Sequence, residues 1–176
     1  EILLDLADTQ TPQGIVAVIQ KAEMGQPDLR QGKFLFLEDV QDPGNVGTMI
    51  RTADAAGFTG VIVSDKSADI YSLKTLRSMQ GSHFHLPIYR MPVAAFVEGA
   101  KKSDLPILAT TLSKESKDYR ELSPLEDFVL VMGNEGQGIS PVMVESADQL
   151  VHIGMKGRAE SLNVAIAAGI LMFYFS

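Results

Sequence analysis

The segment VLVMGNEGQGIS (129–140) places Glu135 in a turn among three glycines, directly after an apolar run. Glycine is favoured where the backbone needs a positive φ angle or must approach another group closely. Gly133, Gly136 and Gly138 therefore suit a loop whose amides wrap a ligand, with Glu135 as part of a site. The segment has neither the Lys-Ser/Thr of a phosphate-binding loop nor a G-x-G-x-x-G pattern. The alternative is a glycine-rich connector that carries a solvated charge.

A second candidate group lies in EDVQDPGNVGTMIRTADAAGF (38–58), where Asn45 is predicted to cap a helix. Gly47, Arg51 and Asp54 fall on one face of that helix, at positions i, i+4 and i+7. A glycine in the first turn costs about 1 kcal/mol relative to Ala. This glycine is explained if a ligand or another chain passes close above it, next to Arg51. The alternative is a surface Arg paired with Asp54, and the spacing does not separate the two interpretations.

A third segment, HIGMKGRAESLNVAIAAG (152–169), leads into an apolar run that ends at residue 175. Ser161 or Asn163 could cap a helix there, and Asn163 is either that cap or a site residue. The run is shorter than the roughly 20 residues of a membrane helix, so no membrane partner is predicted. A helix that is apolar nearly all round must be buried in a core or at a subunit interface.

His83 and His85, in SHFHLP (82–87), could share one face of a strand and bind a metal ion. No third ligand is apparent in the sequence. Structural or RNA-facing histidines are the favoured interpretation, and no metal site is predicted.

The overall composition is that of a folded protein with an acidic balance. Of the 176 residues, 45% are hydrophobic and 21% are charged, and the chain is long enough for one domain with a proper core. The net charge of −7 argues against a nucleic-acid partner, because phosphate binding draws on clustered Lys and Arg. The absence of cysteine excludes disulfides and thiolate metal sites, and it fits a reducing, cytoplasmic environment.

Short apolar runs alternate with helical segments along the chain. The predicted strands are at 34–39, 61–64, 107–112, 128–132 and, more weakly, 150–154. The predicted helices, besides the C-terminal one, are at 45–56, 72–80, 93–102 and 141–147. Most of the strands lack polar–apolar alternation, as in a parallel sheet that is covered on both faces. The pattern predicts an α/β fold whose ligands bind beyond the carboxyl ends of the strands.

The three segments, in this order, resemble the motifs of the SpoU (TrmH-type) branch of the SPOUT RNA methyltransferases. Asn45, Gly47 and Arg51 match the first motif, GNEGQGIS (133–140) the second and IGMKGRAESLNVAIAAGI (153–170) the third. The resemblance extends from about residue 34 to residue 173, and three ordered motifs are far more specific than any one of them.

Membership of that family implies a trefoil-knotted α/β fold with a mainly parallel central sheet flanked by helices. Without the resemblance, an unknotted doubly wound sheet is expected, because real knots are rare. The family also implies S-adenosylmethionine as cofactor, methylation of a ribose 2′-hydroxyl in rRNA or tRNA, and a homodimer.

The resemblance assigns roles residue by residue. The implied catalytic residues are Asn45, Arg51, Glu135, Ser161 and Asn163. The implied cofactor-binding residues are Thr111, Leu112, Gly133, Asn134, Gly136, Gly138, Ile153, Met155, Leu162 and Asn163. Arg51 is expected to clamp a phosphate and stabilise developing charge, whereas general-base catalysis is the stronger version of its role.

The resemblance also predicts the domain organisation, and it has one local departure. Residues 1–13 are predicted to be a linker from a preceding RNA-binding domain, and residues 14–176 the catalytic domain. The third motif usually reads Ile-Pro-Met, and here it reads Ile153-Gly154-Met155. Glycine in place of proline predicts a looser loop and a weaker hold on the cofactor.

Two other functions are compatible with parts of the sequence. One is a non-catalytic RNA-binding module that retains the cofactor pocket, which the complete set of catalytic residues disfavours. The other is a small-molecule nucleotide-binding α/β domain, which the poor match to phosphate-binding loops disfavours.

Overall fold

The computed structural model describes residues 11, 14–21 and 24–176. The predicted linker at 1–13 lies outside the described residues apart from Thr11. Within the described part of the chain, no helix has the length and apolar character needed to cross a membrane.

A seven-stranded sheet forms the centre of the fold, with the strand order β3-β2-β1-β6-β4-β7-β5. Its strands are β1 (Lys33–Leu37), β2 (Gly60–Val63), β3 (Ile88–Arg90), β4 (Ile107–Thr110), β5 (Lys117–Asp118), β6 (Phe128–Met132) and β7 (Gln149–His152). Every neighbouring pair of strands is parallel. The predicted parallel α/β fold is therefore confirmed.

Helices cover both faces of the sheet. They are α1 (Pro43–Ala55), α2 (Leu73–Met79), α3 (Val93–Lys102), α4 (Pro141–Ser146) and α5 (Val164–Phe175). Alternate residues of β1 enter two hydrophobic cores: Leu35 packs in the core shared with α1 and α5, and Phe36 in the core shared with α3. Burial on both sides explains why β1 and β6 show no polar–apolar alternation.

The short strands β3 and β5 do not appear among the predicted elements. β3 has three residues in the sheet and β5 has two, which is too little for a hydrophobic pattern to form. His83 and His85 lie in and just after a 3-10 turn at Ser82–Phe84, so they do not share a strand face, which was the disfavoured alternative.

Helix α1 begins two residues earlier than predicted, and its cap is a different residue. The side chain of Asp42 accepts a hydrogen bond from the amide of Asn45 at 2.8 Å, and Pro43 occupies the first helical position. A proline there loses nothing, because that amide has no partner within the helix. The prediction that Asn45 caps this helix is therefore wrong, and its side chain is available for another purpose.

Gly47 is required by packing between helices α1 and α2. A Cβ atom at this position would stand 2.6 Å from the Cβ of Ser78 and 2.6 Å from the carbonyl oxygen of Thr75. Gly47 is fully buried by this contact. The interpretation that a ligand or another chain passes above it is wrong, because helix α2 occupies that space.

Candidate active site

A cavity of about 440 Å³ opens beyond the carboxyl ends of β4, β6 and β7, beside the start of α5. It is lined by Thr110, Thr111, Leu112, Met132, Gly133, Asn134, Glu135, Gly138, Val151, His152, Ile153, Met155, Glu160, Ser161, Leu162, Asn163, Val164, Ala167 and Leu171. Ligands of open parallel sheets bind at this edge, so the position agrees with the expectation from topology.

The glycine-rich loop after β6 folds back on itself at the mouth of the cavity. Asn134 and Gly138 exchange two backbone hydrogen bonds of 2.9 Å, and Gly138 has a φ angle of +70°. A Cβ atom on Gly133 would collide with the backbone at Gly138. The glycines at these two positions are therefore needed for the shape of the loop itself, and that shape brings Gly133 and Gly138 to the cavity wall.

Buried polar contacts fasten this loop to the end of β1. The side chain of Asn134 donates to the carbonyl oxygen of Asp39 at 2.8 Å and accepts from the amides of Gly136 and Gln137. Glu38 is only 3% exposed, and its carboxylate accepts from the amide of Ser140 at 3.2 Å. Sequence reasoning missed this role of Glu38. A carboxylate at the end of an otherwise apolar strand could have indicated it.

Side chains from all three motifs meet at the rim of the cavity. Asn45 Nδ2 donates to Glu135 Oε1 at 3.1 Å, and Asn163 Nδ2 donates to Asn45 Oδ1 at 3.0 Å. Asn163 Oδ1 caps helix α5 by accepting from the amides of Ala165 and Ile166. Asn163 is thus both the helix cap and a member of the rim, and the sequence had presented these as alternatives.

Hydrogen bonds keep the Glu135 carboxylate ionised. Partial burial opposes ionisation, but donors from its own amide, from Asn45 and from the amides of Gln41 and Asp42 outweigh burial and hold the pKa below its ordinary value. The two amides of the Gln41–Asp42 turn each lie 3.3 Å from a carboxylate oxygen. Glu135 is therefore a fixed negative charge that orients Asn45.

Arg51 is exposed on helix α1 and does not line the cavity. The Asp54 carboxylate accepts from Nδ1 of His85 at 3.0 Å, so the alternative of a surface Arg51 paired with Asp54 is not found. Among the residues that the structure describes, the side chain of Arg51 has no hydrogen bond or ion pair. Its guanidinium is thus available to a group from outside this chain.

Most of the predicted site residues surround the cavity. Of the predicted cofactor-binding residues, those that line it are Thr111, Leu112, Gly133, Asn134, Gly138, Ile153, Met155, Leu162 and Asn163, whereas Gly136 does not. Of the predicted catalytic residues, Glu135, Ser161 and Asn163 line the cavity, and Asn45 reaches its rim through Glu135.

Other lining residues were missed, most of them because they look like ordinary core positions in the sequence. They are Thr110, Met132, Val151, His152, Glu160, Val164, Ala167 and Leu171. His152 is the last residue of β7, at the same edge of the sheet as the residues that were identified, and its Nδ1 lies 3.0 Å from the hydroxyl of Ser116. Position at the carboxyl end of a strand was a signal for His152, whereas the residues of α5 gave none.

The shape and lining of the cavity fit an adenosyl cofactor. Its volume is within the range of about 300–1,000 Å³ that small-molecule sites occupy. Apolar side chains of Ile153, Leu162 and Leu171 can cover a purine, while the polar groups of Thr111 and Ser161 can orient a ribose or an amino acid. Ile153 and Met155 flank Gly154, whose backbone amide is fixed by a hydrogen bond to Asp118 at 3.2 Å. The predicted looser loop at Gly154, with its weaker hold on the cofactor, stays a prediction.

Comparison with known proteins identifies relatives of this chain. The model of the SpoU rRNA methylase family matches residues 32–173. The 23S rRNA (guanosine(2553)-2′-O)-methyltransferase RlmP of Bacillus subtilis is 43% identical over 169 residues, which are 96% of this chain and 67% of RlmP.

Solved structures show the same fold. An rRNA methyltransferase from Sinorhizobium meliloti, determined with bound AdoMet, has a TM-score of 0.79 at 40% identity, with coverage of 86% of this chain and 60% of that one. The SpoU methyltransferase AviRb from Streptomyces viridochromogenes, in complex with AdoMet, has a TM-score of 0.71 at 36% identity, with coverage of 80% and 55%. This chain thus spans a little over half the length of these two proteins. The family match over residues 32–173 contains every strand of the sheet and the three segments around the cavity, and the chain belongs to the SpoU rRNA methylase family of S-adenosylmethionine-dependent RNA methyltransferases.

Proposed function

We propose that this domain transfers the methyl group of S-adenosylmethionine to the 2′-hydroxyl of a ribose in RNA, with rRNA as the first substrate class to test. The observation that carries the proposal is the Glu135–Asn45–Asn163 network at the rim of a cavity of cofactor size. The 2′-O-methyltransferase named among the relatives supports it. A non-catalytic module would have no use for a carboxamide pair that is held in place by a fixed carboxylate.

The cavity residues have two tasks in this proposal. S-adenosylmethionine supplies an electrophilic methyl group on a sulfonium when it is bound. The loop at Gly133–Gly138 and the segment from Ile153 to Asn163 hold the cofactor and exclude water from its apolar parts. Methyl transfer requires the acceptor oxygen in line with the methyl group, so the main contribution of the site is positioning.

The rim residues act on the ribose. Asn45 and Asn163 are held by Glu135 and by the first turn of α5, so their carboxamides can orient the sugar without reorganising. Ser161 lines the same cavity and can bind a sugar hydroxyl. Arg51 is proposed to bind the adjoining phosphate and to stabilise the negative charge that develops on O2′ as its proton leaves.

A methylation assay tests the proposal. Total RNA from a strain that lacks the protein is incubated with the purified full-length protein and S-adenosylmethionine labelled in the methyl group, and the product is mapped for 2′-O-methyl nucleotides. The expected result is one or a few 2′-O-methylated positions in rRNA. Labelling confined to bases, or no labelling of any RNA, would overturn the proposal, and labelling confined to tRNA would correct the substrate class.

We further propose that the domain forms a homodimer through helices α5 and α1. Ile166, Ile170 and Phe173 recur at i, i+4 and i+7 on α5 and are 57%, 36% and 58% exposed. Thr52 of α1 packs beside Gly169 on the same helix, so this apolar face continues toward α1. A second copy of the chain covers such a face most simply through a self-complementary twofold contact.

Three remaining features of the proposal concern the whole molecule. A trefoil knot is proposed on the family membership. Residues 14–176 are proposed as the catalytic domain, most of which the family match over 32–173 covers. An RNA substrate and a chain without cysteine support a cytoplasmic location.

A further inference from the structure

The edge strand β5 contacts the cavity wall through a side chain. β5 pairs with β7 in parallel, with Lys117 opposite Val151 and Asp118 opposite His152. Beyond the end of β7, the carboxylate of Asp118 accepts from the amide of Gly154 at 3.2 Å. The side chain thus continues the hydrogen-bond ladder two residues past the last strand pair.

Asp118 is itself held firmly in place. Arg120 donates Nε and Nη2 to its two carboxylate oxygens at 2.7 and 2.8 Å, and the amide of Arg120 donates to it at 3.1 Å. These contacts hold the pKa of Asp118 well below its ordinary range. The hydroxyl of Tyr174, on α5, donates to the carbonyl oxygen of Leu122 at 3.0 Å and ties the same segment to the core.

Gly154 suits this contact better than a residue with a side chain, and better than proline in particular. A Cβ atom at position 154 would stand 2.7 Å from Oδ2 of Asp118, and proline would also remove the amide hydrogen. Ile153 and Met155, on either side of Gly154, line the cavity. The hydrogen bond therefore fixes the outer side of a segment whose inner side forms the cofactor wall.

We infer that Asp118, supported by Arg120, is a positioning residue for the cofactor: it fixes Ile153–Met155 through the amide of Gly154, without touching the cofactor itself. This inference rests on the proposed use of the cavity for S-adenosylmethionine. Removal of the carboxylate frees the segment, so that binding has to order it again at the expense of affinity.

The first test is calorimetry of S-adenosylmethionine binding to the purified protein and to Asp118→Ala. We expect about a tenfold weaker affinity, as for the loss of a hydrogen bond to a charged group. Asp118→Asn, which keeps an acceptor for the Gly154 amide, should retain most of the affinity. If the wild-type protein itself does not bind the cofactor, the proposed function fails, whereas equal binding by the wild type and Asp118→Ala overturns only this inference.

The chain offers a matched control in Asp28 and Arg30. The side chain of Arg30 contacts Asp28 through Nε and Nη2 at 2.8 and 2.6 Å, with the same two-residue spacing and an added backbone hydrogen bond. Neither residue lines the cavity. Asp28→Ala should leave the cofactor affinity unchanged, and an equal loss of affinity in Asp28→Ala and Asp118→Ala would overturn the positioning role.

A double-mutant cycle separates positioning from general stability. Gly154→Ala should weaken cofactor binding in the wild-type background, because its Cβ atom meets Asp118. In the Asp118→Ala background the same change should cost much less. Asp118→Ala should also raise KM for the cofactor in step with Kd while leaving kcat at saturation within about twofold. Equal costs of Gly154→Ala in both backgrounds, or a fall in kcat with KM unchanged, would contradict the inference.

Discussion

The cavity rim and the outer face of helices α1 and α5 are built in opposite ways, although they share the same two helices. At the rim, Asn45, Glu135 and Asn163 satisfy one another and the nearby backbone. On the outer face, Arg51 is exposed and the apolar side chain of Phe173 faces solvent. Asn45 and Arg51 are separated by six residues on α1, which is about 9 Å along the helix axis.

The difference shows which interactions the single chain completes by itself. A site that is already hydrogen-bonded can bind a small cofactor at little cost in reorganisation. In the proposed function, RNA completes the contacts of the exposed guanidinium, and a second subunit covers the exposed apolar face. Substitutions in the two regions should therefore affect different measurements.

Arg51→Ala should have the largest effect on methyl transfer. The loss of one charge-stabilising donor in a transition state typically lowers kcat by about 10²–10³. Because Arg51 does not line the cavity, the Kd for S-adenosylmethionine should stay at the wild-type value. Single-turnover methylation and calorimetry check the two halves of the prediction.

Arg51→Lys serves as the companion variant for the geometry of that contact. An ammonium keeps the charge but cannot make the planar, two-pronged contact with a phosphate, so only part of the rate should return. Methylation at the wild-type rate by Arg51→Ala would mean that Arg51 is an ordinary surface residue.

Asn45→Ala should have the next largest effect, because Asn45 joins Glu135 to Asn163. A misplacement of about 1 Å at a reacting group can cost about 10² in rate. We expect a fall in kcat of up to that size, with a smaller loss of cofactor affinity. Asn45→Asp keeps the shape of the side chain but places a second carboxylate against Glu135. Its kcat should therefore fall as far as that of Asn45→Ala. Full activity of either variant would remove Asn45 from the catalytic set.

Phe173→Glu should convert the dimer to a monomer, because it places a charge on the exposed apolar face of α5. Light scattering should report about twice the chain mass of 19.1 kDa for the wild type and a single chain mass for the variant. Val142→Glu, at an exposed apolar position on α4, is the control and should remain dimeric. A wild-type protein that is monomeric over a wide concentration range would refute the dimer.

The smallest expected effect is the contribution of the Glu135 charge to folding stability. Folding lowers the pKa of Glu135. The charge therefore stabilises the fold above about pH 4.3, the ordinary pKa of Glu. This stabilisation is lost as the pH falls through the pKa of the folded state. Glu135→Gln should reduce the free energy of unfolding by less than about 1 kcal/mol at pH 7, because the carboxylate is solvent-screened. Urea denaturation at pH 7 and pH 3.5 should show that the difference shrinks at the lower pH.

The sequence predicted the site better than it predicted why individual residues are there. The alternation of apolar runs and helices located the main strands, and motif order located Glu135 and Asn163 correctly at the cavity. Gly47 was misread because its partner, α2, is distant in sequence and invisible to local spacing. The hydrogen bond from the Gly154 amide to Asp118 could not be predicted for the same reason, since Asp118 lies 36 residues away.

Composition misled in one respect. The net charge of −7 argued against a nucleic-acid partner, and the family acts on RNA. Net charge averages over the whole surface, whereas RNA contact depends on a few cations at the right place, which is the role proposed for Arg51.

The cap of helix α1 at Asp42 was missed because Asn45 is an equally suitable cap by residue type. Only the hydrogen bond from the Asn45 amide to the Asp42 side chain distinguishes the two residues.

Calorimetric titration of the wild-type domain with S-adenosylmethionine, without RNA, tests the central claim most directly. The claim is that this chain alone forms the complete cofactor site, whereas Arg51 acts only with bound RNA and the α5 face is covered only by a second subunit. The prediction is saturable binding of one cofactor per chain, the same for Arg51→Ala, with S-adenosylhomocysteine as a competitor. No heat and no shift in Tm at millimolar cofactor would contradict it.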